Sequence, residues 1–231
     1  MLQERIVNCF KTKQRYADPS TIKEALTSWK FPLVFLDFET INPAIPRYLD
    51  SRPYEQIPFQ FSTHIWPAFD EDLLHREFLH DEANDPRPYL IEALLEACGD
   101  HGSIASYNAA FEARCITALA SYAPQHHDKL QRIRERLVDP LPIVQNAVYD
   151  TEFFGSFSLK YVAPALLGEA HSYSGMSVAN GNDAQRAFED LIATDISMER
   201  KNHLRNSMLE YCKKDTFVMV ELVKWLFSAA K

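Results

Sequence analysis

Near its start the chain carries a continuous apolar run, Leu33-Val34-Phe35-Leu36, that ends in Asp37-Phe38-Glu39-Thr40 and reads as a buried strand over Leu33 to Phe38. Ahead of it, residues 1–30 form a polar lead-in with one amphipathic stretch, Thr21 to Trp29, behind the helix-start signal Asp18-Pro19-Ser20. Behind it, prolines at 43, 46, 53 and 58 keep Asn42 to Pro58 irregular. Phe59 to Ile65 then alternates with period two, and past the acidic turn Asp70-Glu71-Asp72 a second candidate strand covers Arg76 to Leu79. The pair predicts a hairpin beside the first strand.

Farther on, the period changes to that of a helix. Leu90, Ile91, Leu94, Leu95 and Cys98 place a helix over Pro88 to Cys98, with Gly99 at the C-terminal cap. Ser103 to Tyr107 is a short strand. Asn108 is a good N-cap for a helix running to about Tyr122, with Glu112 in its first or second turn. A polar helix, Gln125 to Leu137, leads to Val138-Asp139-Pro140. Ser158 to Leu167 is helical with an interruption at Pro164, and Gly175 to Asn182 reads as a flexible loop. A last helix, Met198 to Ala230, keeps Leu204, Met208, Cys212, Met219, Val223 and Phe227 near helical spacing. Strands first, then helices and a further strand, predict a mixed α/β layer architecture.

Composition narrows this picture in three ways. The 231 residues, 46% of them hydrophobic, suffice for one substantial core, so residues 31–231 are expected to form one domain behind the lead-in. The net charge of -8 lacks the basic face of a protein that tracks along duplex nucleic acid, and leaves room for an enzyme that grips a strand end. Cys9, Cys98, Cys115 and Cys212 form no CxxC pair, which argues against a zinc ribbon or disulfide framework. The first residues have no apolar signal core, and no segment approaches the roughly 18 to 20 apolar residues that span a bilayer. A protein outside the membrane, in a reducing cytoplasm, is the expectation.

The acidic pair brings in chemistry. An unpaired carboxylate at the end of a buried strand is costly and is normally paired or bound to metal. Side chains at positions 37 and 39 of a strand share one face while Phe38 points to the other, so both carboxylates converge, as a hard divalent cation requires. On the last helix Tyr211 and Asp215 stand one turn apart. With 10 Tyr and 32 acidic residues, about 1.4 such Tyr-to-acid pairs arise by chance, so only their order in the chain gives them weight. That order is Asp-x-Glu on a strand, Asn108-Ala109-Ala110-Phe111-Glu112 at a helix start, and Tyr211 to Asp215 on a final helix.

In that order the chain resembles the DnaQ-like (DEDDy-type) 3′–5′ exonucleases of the ribonuclease H-like superfamily, which carry four acids in three separated motifs. Asp37, Glu39 and Thr40 match the first motif, Asn108 to Glu112 the second and Tyr211 to Asp215 the third. The tyrosine places it with the tyrosine branch, because Glu210 stands where the other branch has His. The phrases LDFETINPAIP, PFQFSTHIW, SYNAAFEA, GSFSLKYVAPAL and YCKKDT also look like an uncharacterised bacterial family of that clan, over about Phe31 to Leu226.

The resemblance implies a ribonuclease H-like mixed β-sheet flanked by helices. It further implies phosphodiester hydrolysis at the end of a single-stranded DNA or RNA, with Asp37, Glu39, Glu112 and Asp215 as metal ligands and Tyr211 orienting the attacking water. Association with another nuclease-like domain or protein is a further implication. The second-motif acid is usually Asp. Glu112 reaches one methylene further with the same two oxygens, and Asp139 and Asp150 are rivals for this fourth carboxylate.

Charge argues the same way from the residues themselves. Four converging acids repel one another and take up protons unless divalent cations oppose them. Oxygen ligands favour Mg²⁺ or Mn²⁺ over zinc, and two such ions about 4 Å apart serve phosphodiester hydrolysis. Lys160 is either a phosphate contact or a solvated helix lysine, and Thr40 either meets the terminal nucleotide or makes a strand-end hydrogen bond. By the same resemblance, Asn108 stands beside the substrate. GxxxxGK, GxGxxG, HExxH and GxSxG motifs are all missing, which leaves NTPase, nicotinamide, zincin and serine-hydrolase chemistry without support. The rival to an exonuclease is a catalytically inactive module of the same fold that binds nucleic acid or a protein.

Overall fold

The computed structural model describes residues 2–231. Helix α1 (Leu2–Thr12), the short strand β1 (Tyr16–Ala17) and α2 (Pro19–Leu26) precede the main sheet. β2 (Leu33–Ile41), β3 (Ile57–Trp66) and β4 (Leu74–Leu79) follow, then α3 (Arg87–Cys98), β5 (Ser103–Ala105), α4 (Ala110–Tyr122) and α5 (His127–Glu135). The remainder is β6 (Leu137–Val138), α6 (Pro140–Ala147), β7 (Val148–Tyr149), α7 (Leu159–Leu167), α8 (Gly181–Leu191) and the long α9 (Met198–Ala229).

Five strands form one mixed sheet in the order β4-β3-β2-β5-β6. β4, β3 and β2 are antiparallel neighbours, whereas β2, β5 and β6 run parallel. The expected hairpin beside the first strand is therefore β3–β4, and the sheet is mixed α/β. Gly102, at φ 81°, enters β5 where any Cβ would collide with the Pro32 carbonyl, so only glycine fits this approach.

Alternation along β2 decides what packs on each face. Val34, Leu36 and Phe38 point into a core with Leu90 and Leu94 of α3, Ile116 and Leu119 of α4, and Leu130 and Ile133 of α5. Leu33 and Phe35 point the other way, onto Met219, Val220 and Val223 of α9. Side chains two apart on a strand share a face, so Asp37 and Glu39 inherit the α9 face. Phe38 is core, as its position between the acids requires.

α9 is the hub of the molecule. Leu204, Met208 and Tyr211 pack with α8 and the ends of β2 and β3, while Val218, Leu222 and Leu226 pack with α2, α6 and α7. Phe59 of β3 stacks on Phe188 of α8, with ring centroids 4.1 Å apart.

Several elements differ from the sequence expectation. The lead-in holds a second helix, α1, whose Cys9 is buried with α2, α6 and α7. α7 continues through Pro164 instead of breaking there, since one proline costs a single main-chain hydrogen bond near the helix end. The loop from Gly175 stops at Asn180, whose side chain accepts from the Asp183 N–H and caps α8. Asn108 is not an N-cap: it adopts a left-handed conformation at φ 67°, and Ala109 precedes α4 without a side-chain cap. All four cysteines are unpaired and buried. Among the described residues no helix is long and apolar enough to cross a membrane.

Candidate metal centre

The acids collect at the carboxyl ends of the parallel strands β2 and β5, the edge where open α/β sheets present a crevice. Asp37 lies opposite Ser62 and Glu39 opposite Gln60, and the register slips between Glu39 and Thr40. Such a bulge re-aims the strand where the carboxyls must meet α9. Thr216 fixes α9 against the sheet: its hydroxyl is 2.8 Å from Ser62 Oγ and 2.8 Å from His64 Nδ1. Burial and neighbouring His75 push His64 down to about 4, so this imidazole stays neutral. Thr216 is next to Asp215 in the chain, so the network holds the third-motif carboxyl in register with β2.

One ligand atom each from Asp37, Glu39 and Cys212 lies within 4.8 Å of the others. Cys212 Sγ is 3.7 Å from the Asp37 carbonyl oxygen and 3.8 Å from its Oδ2. Burial, then the charge of Asp37, pushes the thiol well above its usual range, so it packs as a neutral group. Asp215 and Glu112 stand outside this trio and act on it through charge. Burial, then Asp215, Glu39 and Glu112 in that order, raise the Asp37 carboxyl well above the usual carboxylate range. Glu39 rises to about 8 through burial and the repulsion of Asp215, with Lys160 opposing. Asp215 rises to about 6 through burial, held back by the Tyr173 phenol, Lys160, the Tyr211 phenol and Lys214.

Glu112 sits in the first turn of α4 at 3% exposure, and its Oε2 has no hydrogen-bond partner. Burial, with a smaller push from Asp139, raises it to about 8. A buried carboxylate oxygen in the same cleft as Asp37, Glu39 and Asp215 is thus an acceptor with no donor, which a cation can satisfy. The two rivals for the fourth position are otherwise engaged. Asp139 accepts from the N–H groups of Asn108, Ala109 and Leu141 at 3.0, 3.0 and 2.9 Å, so it caps the start of α4 from across the fold and α6 from within. Asp150 pairs with Arg15 at 2.8 Å and caps the turn that follows it. The structure thus brings Glu112, and neither rival, to the cleft as an uncommitted carboxyl.

Tyr211 and Tyr173 flank Asp215, with their rings 6.3 Å apart. The buried Tyr173 hydroxyl makes no regular hydrogen bond, and both phenols are raised far above their ordinary value by burial and the nearby acids. Both remain neutral donors at any physiological pH. Lys160 Nζ lies 5.3 Å from each ring centroid and donates to the Ala179 carbonyl. It is half-buried beside the acids, not a solvated helix lysine. Tyr173 and Cys212 escape the sequence reading. Tyr173 belongs to a loop without periodicity, and Cys212 occupies an ordinary apolar helix position.

Two open clefts meet over the acids, and Asp37, Asp215, Tyr107 and Asn108 line both. One, of about 520 Å³, is polar and includes Glu39, Thr40, Asn42, Gln56, Glu112 and Tyr211. The other, of about 650 Å³, runs past Gln145, Ser156, Ser158 and Lys160. Thr40 donates to Gln56 Oε1 at 2.5 Å, so its hydroxyl makes the strand-end bond while lining the polar cleft. Asn108 lines the meeting point of the clefts, and its backbone N–H is held by Asp139.

No curated protein matches the chain. A family model matches residues 34–158, a segment that contains Asp37, Glu39, Glu112 and Asp139 and ends ahead of Lys160, Tyr173, Tyr211 and Asp215. With more than half its length matched, the chain belongs to the family described as "Domain of unknown function (DUF2779)".

Proposed function

We propose that the chain is a metal-dependent 3′–5′ exonuclease that hydrolyses phosphodiester bonds at the end of a single-stranded nucleic acid, built on a ribonuclease H-like sheet. The observation that carries this reading is the convergence of Asp37, Glu39, Glu112 and Asp215, from β2, α4 and α9, on one open cleft with one carboxyl oxygen left unpartnered. The strand order, three antiparallel strands followed by two parallel ones, supports the fold.

The residues fit divalent cations. Four carboxyls offer hard oxygen donors, the adjacent thiol is neutral, and the strain of the site is an excess of negative charge. Asp37, Glu39, Glu112 and Asp215 would hold Mg²⁺ or Mn²⁺. Such ions, when bound, supply opposing charge and Lewis acidity for phosphodiester hydrolysis. The chain's own groups do the rest. The neutral Tyr211 hydroxyl, one turn from Asp215, orients the attacking water, and Tyr173 offers a second phenol at the same carboxyl. Lys160, which lines the larger cleft and opposes the charge of Glu39 and Asp215, would balance phosphate charge there. Thr40 and Asn108 stand where the terminal nucleotide enters the polar cleft. Asp139 acts as a positioning residue, fixing the first turn that carries Glu112.

The test is incubation of the full chain with 5′-labelled single-stranded DNA and RNA in Mn²⁺. A ladder of products shortened from the 3′ end, lost in Asp37→Asn, is expected. Intact oligonucleotides in both reactions overturn the reading, and an oligonucleotide bound but uncut favours the non-catalytic module.

A further inference from the structure

Next in the chain to residues of the larger cleft stands a feature that the acids do not account for. Phe154 is 77% exposed and Tyr161 48% exposed, and their rings meet edge to face at 6.4 Å. Both are neighbours in sequence of residues that line the cleft, Gly155 and Lys160 respectively. Phe154 also adopts a left-handed backbone at φ 51°, a conformation that costs an L side chain energy and is favoured by glycine. The surrounding loop is firmly anchored. Phe153 is fully buried against Tyr149, and Tyr107 Oη donates to the Phe157 carbonyl at 2.7 Å. A strained residue on an anchored loop therefore turns a large aromatic ring outward, where burial gains nothing from it.

We propose that Phe154 and Tyr161 form a base-stacking platform for the nucleotides upstream of the scissile bond of a single-stranded nucleic acid. This rests on the exonuclease reading for the direction of the strand. The terminal nucleotide occupies the polar cleft beside Thr40, the scissile phosphate lies over the acids, and the preceding nucleotides follow the larger cleft. Along that path the Ser156 and Ser158 hydroxyls and the Gln145 amide face the sugar-phosphate backbone. An edge-to-face pair keeps ring faces open, and stacking accepts any base, DNA or RNA, because every base has a π-face. An acidic chain without a basic stripe has to gain strand affinity from such contacts more than from phosphate charge.

Fluorescence anisotropy of a labelled thymidine decamer and a thymidine dinucleotide, with Ca²⁺ as the cation and the full chain as protein, tests this directly. Wild type is expected to hold the decamer more tightly than the dinucleotide, and Phe154→Ala and Tyr161→Ala each to lose about tenfold of decamer affinity. Phe154→Trp should restore it. Phe154→Gly, which relieves the left-handed strain, should lose the affinity yet unfold no earlier than wild type. Decamer binding unchanged in all these variants, or no preference for the decamer over the dinucleotide, overturns the platform. Dinucleotide hydrolysis by wild type in Mn²⁺ is read separately. Aromatic-dependent binding without hydrolysis keeps the platform and removes the exonuclease, and hydrolysis with unchanged binding does the reverse.

Discussion

The protonation of the buried acids predicts how stability responds to pH. Glu39 and Glu112 both rise from 4.5 to about 8 in the folded chain. In the unfolded chain each loses its proton near 4.5, so between these values the native state holds more protons. Stability then falls as pH rises, the contribution being fully present below 4.5 and lost on passing through about 8. For one such carboxyl the loss between pH 5 and pH 8 is a few kcal/mol, because each proton held only by the native state costs roughly 1.4 kcal/mol for every step of one in pH. The measurement is urea unfolding followed by circular dichroism, in EDTA, at several pH values across that window. Wild type should lose stability steadily toward pH 8, and Glu112→Gln, which cannot ionise, should lose clearly less, by a few kcal/mol. Mn²⁺ in place of EDTA should flatten the wild-type slope, because a cation bound only by the native carboxylates stabilises more as they ionise. A wild-type stability in EDTA that is flat or rises toward pH 8, parallel to Glu112→Gln, refutes the claim that these carboxyls are buried and mutually repelling.

Other expectations follow from single contacts. Tyr211→Phe should lower kcat about a hundredfold with KM nearly kept, as removal of a group that orients water requires, and steady-state rates on a labelled oligonucleotide will show it. Asp139→Ala strips three N–H groups of their acceptor and should cost about 1–3 kcal/mol in urea unfolding, while also weakening Mn²⁺ binding through the loosened start of α4. Leu36→Ala removes a fully buried side chain between β2 and α4 and should cost about 2–5 kcal/mol by the same measurement. Cys212→Ala should leave Mn²⁺ affinity within about twofold, since hard cations prefer the neighbouring carboxylate oxygens to a thiol; a tenfold loss would make the thiol a ligand.

The parts of the fold that can be read in the sequence are those where one periodicity dominates. The apolar run at 33–36 marks β2, the period-two stretch at 59–65 marks β3, and the long helical repeat marks α9 to within a residue of its end. The same alternation that buries Leu33 and Phe35 sends Asp37 and Glu39 to α9, which is why the acidic pair can be seen as convergent. Helices α1 and α8 are amphipathic but dominated by polar residues, so they read as polar lead-in and loop, and α6 is short and opens on Pro140 and Pro142, which read as breakers. Asn108 is mistaken for the cap of α4 because the true acceptor, Asp139, lies 31 positions away, a partner that no local signal indicates. Tyr173 is hidden for a similar reason: it comes from an irregular loop and meets Asp215 only in the folded chain. Ser62, His64 and Thr216 are visible in the sequence only as polar positions on the α9 face of strand and helix.

The central claim is that Asp37, Glu39, Glu112 and Asp215 together hold divalent cations. Calorimetric titration of the metal-free full chain with Mn²⁺ tests it most directly, with Asp37→Asn and Asp215→Asn beside wild type. Saturable uptake by wild type, accompanied by proton release near neutral pH and abolished in both variants, is the expected result. No uptake by wild type, or uptake that both variants retain, contradicts it.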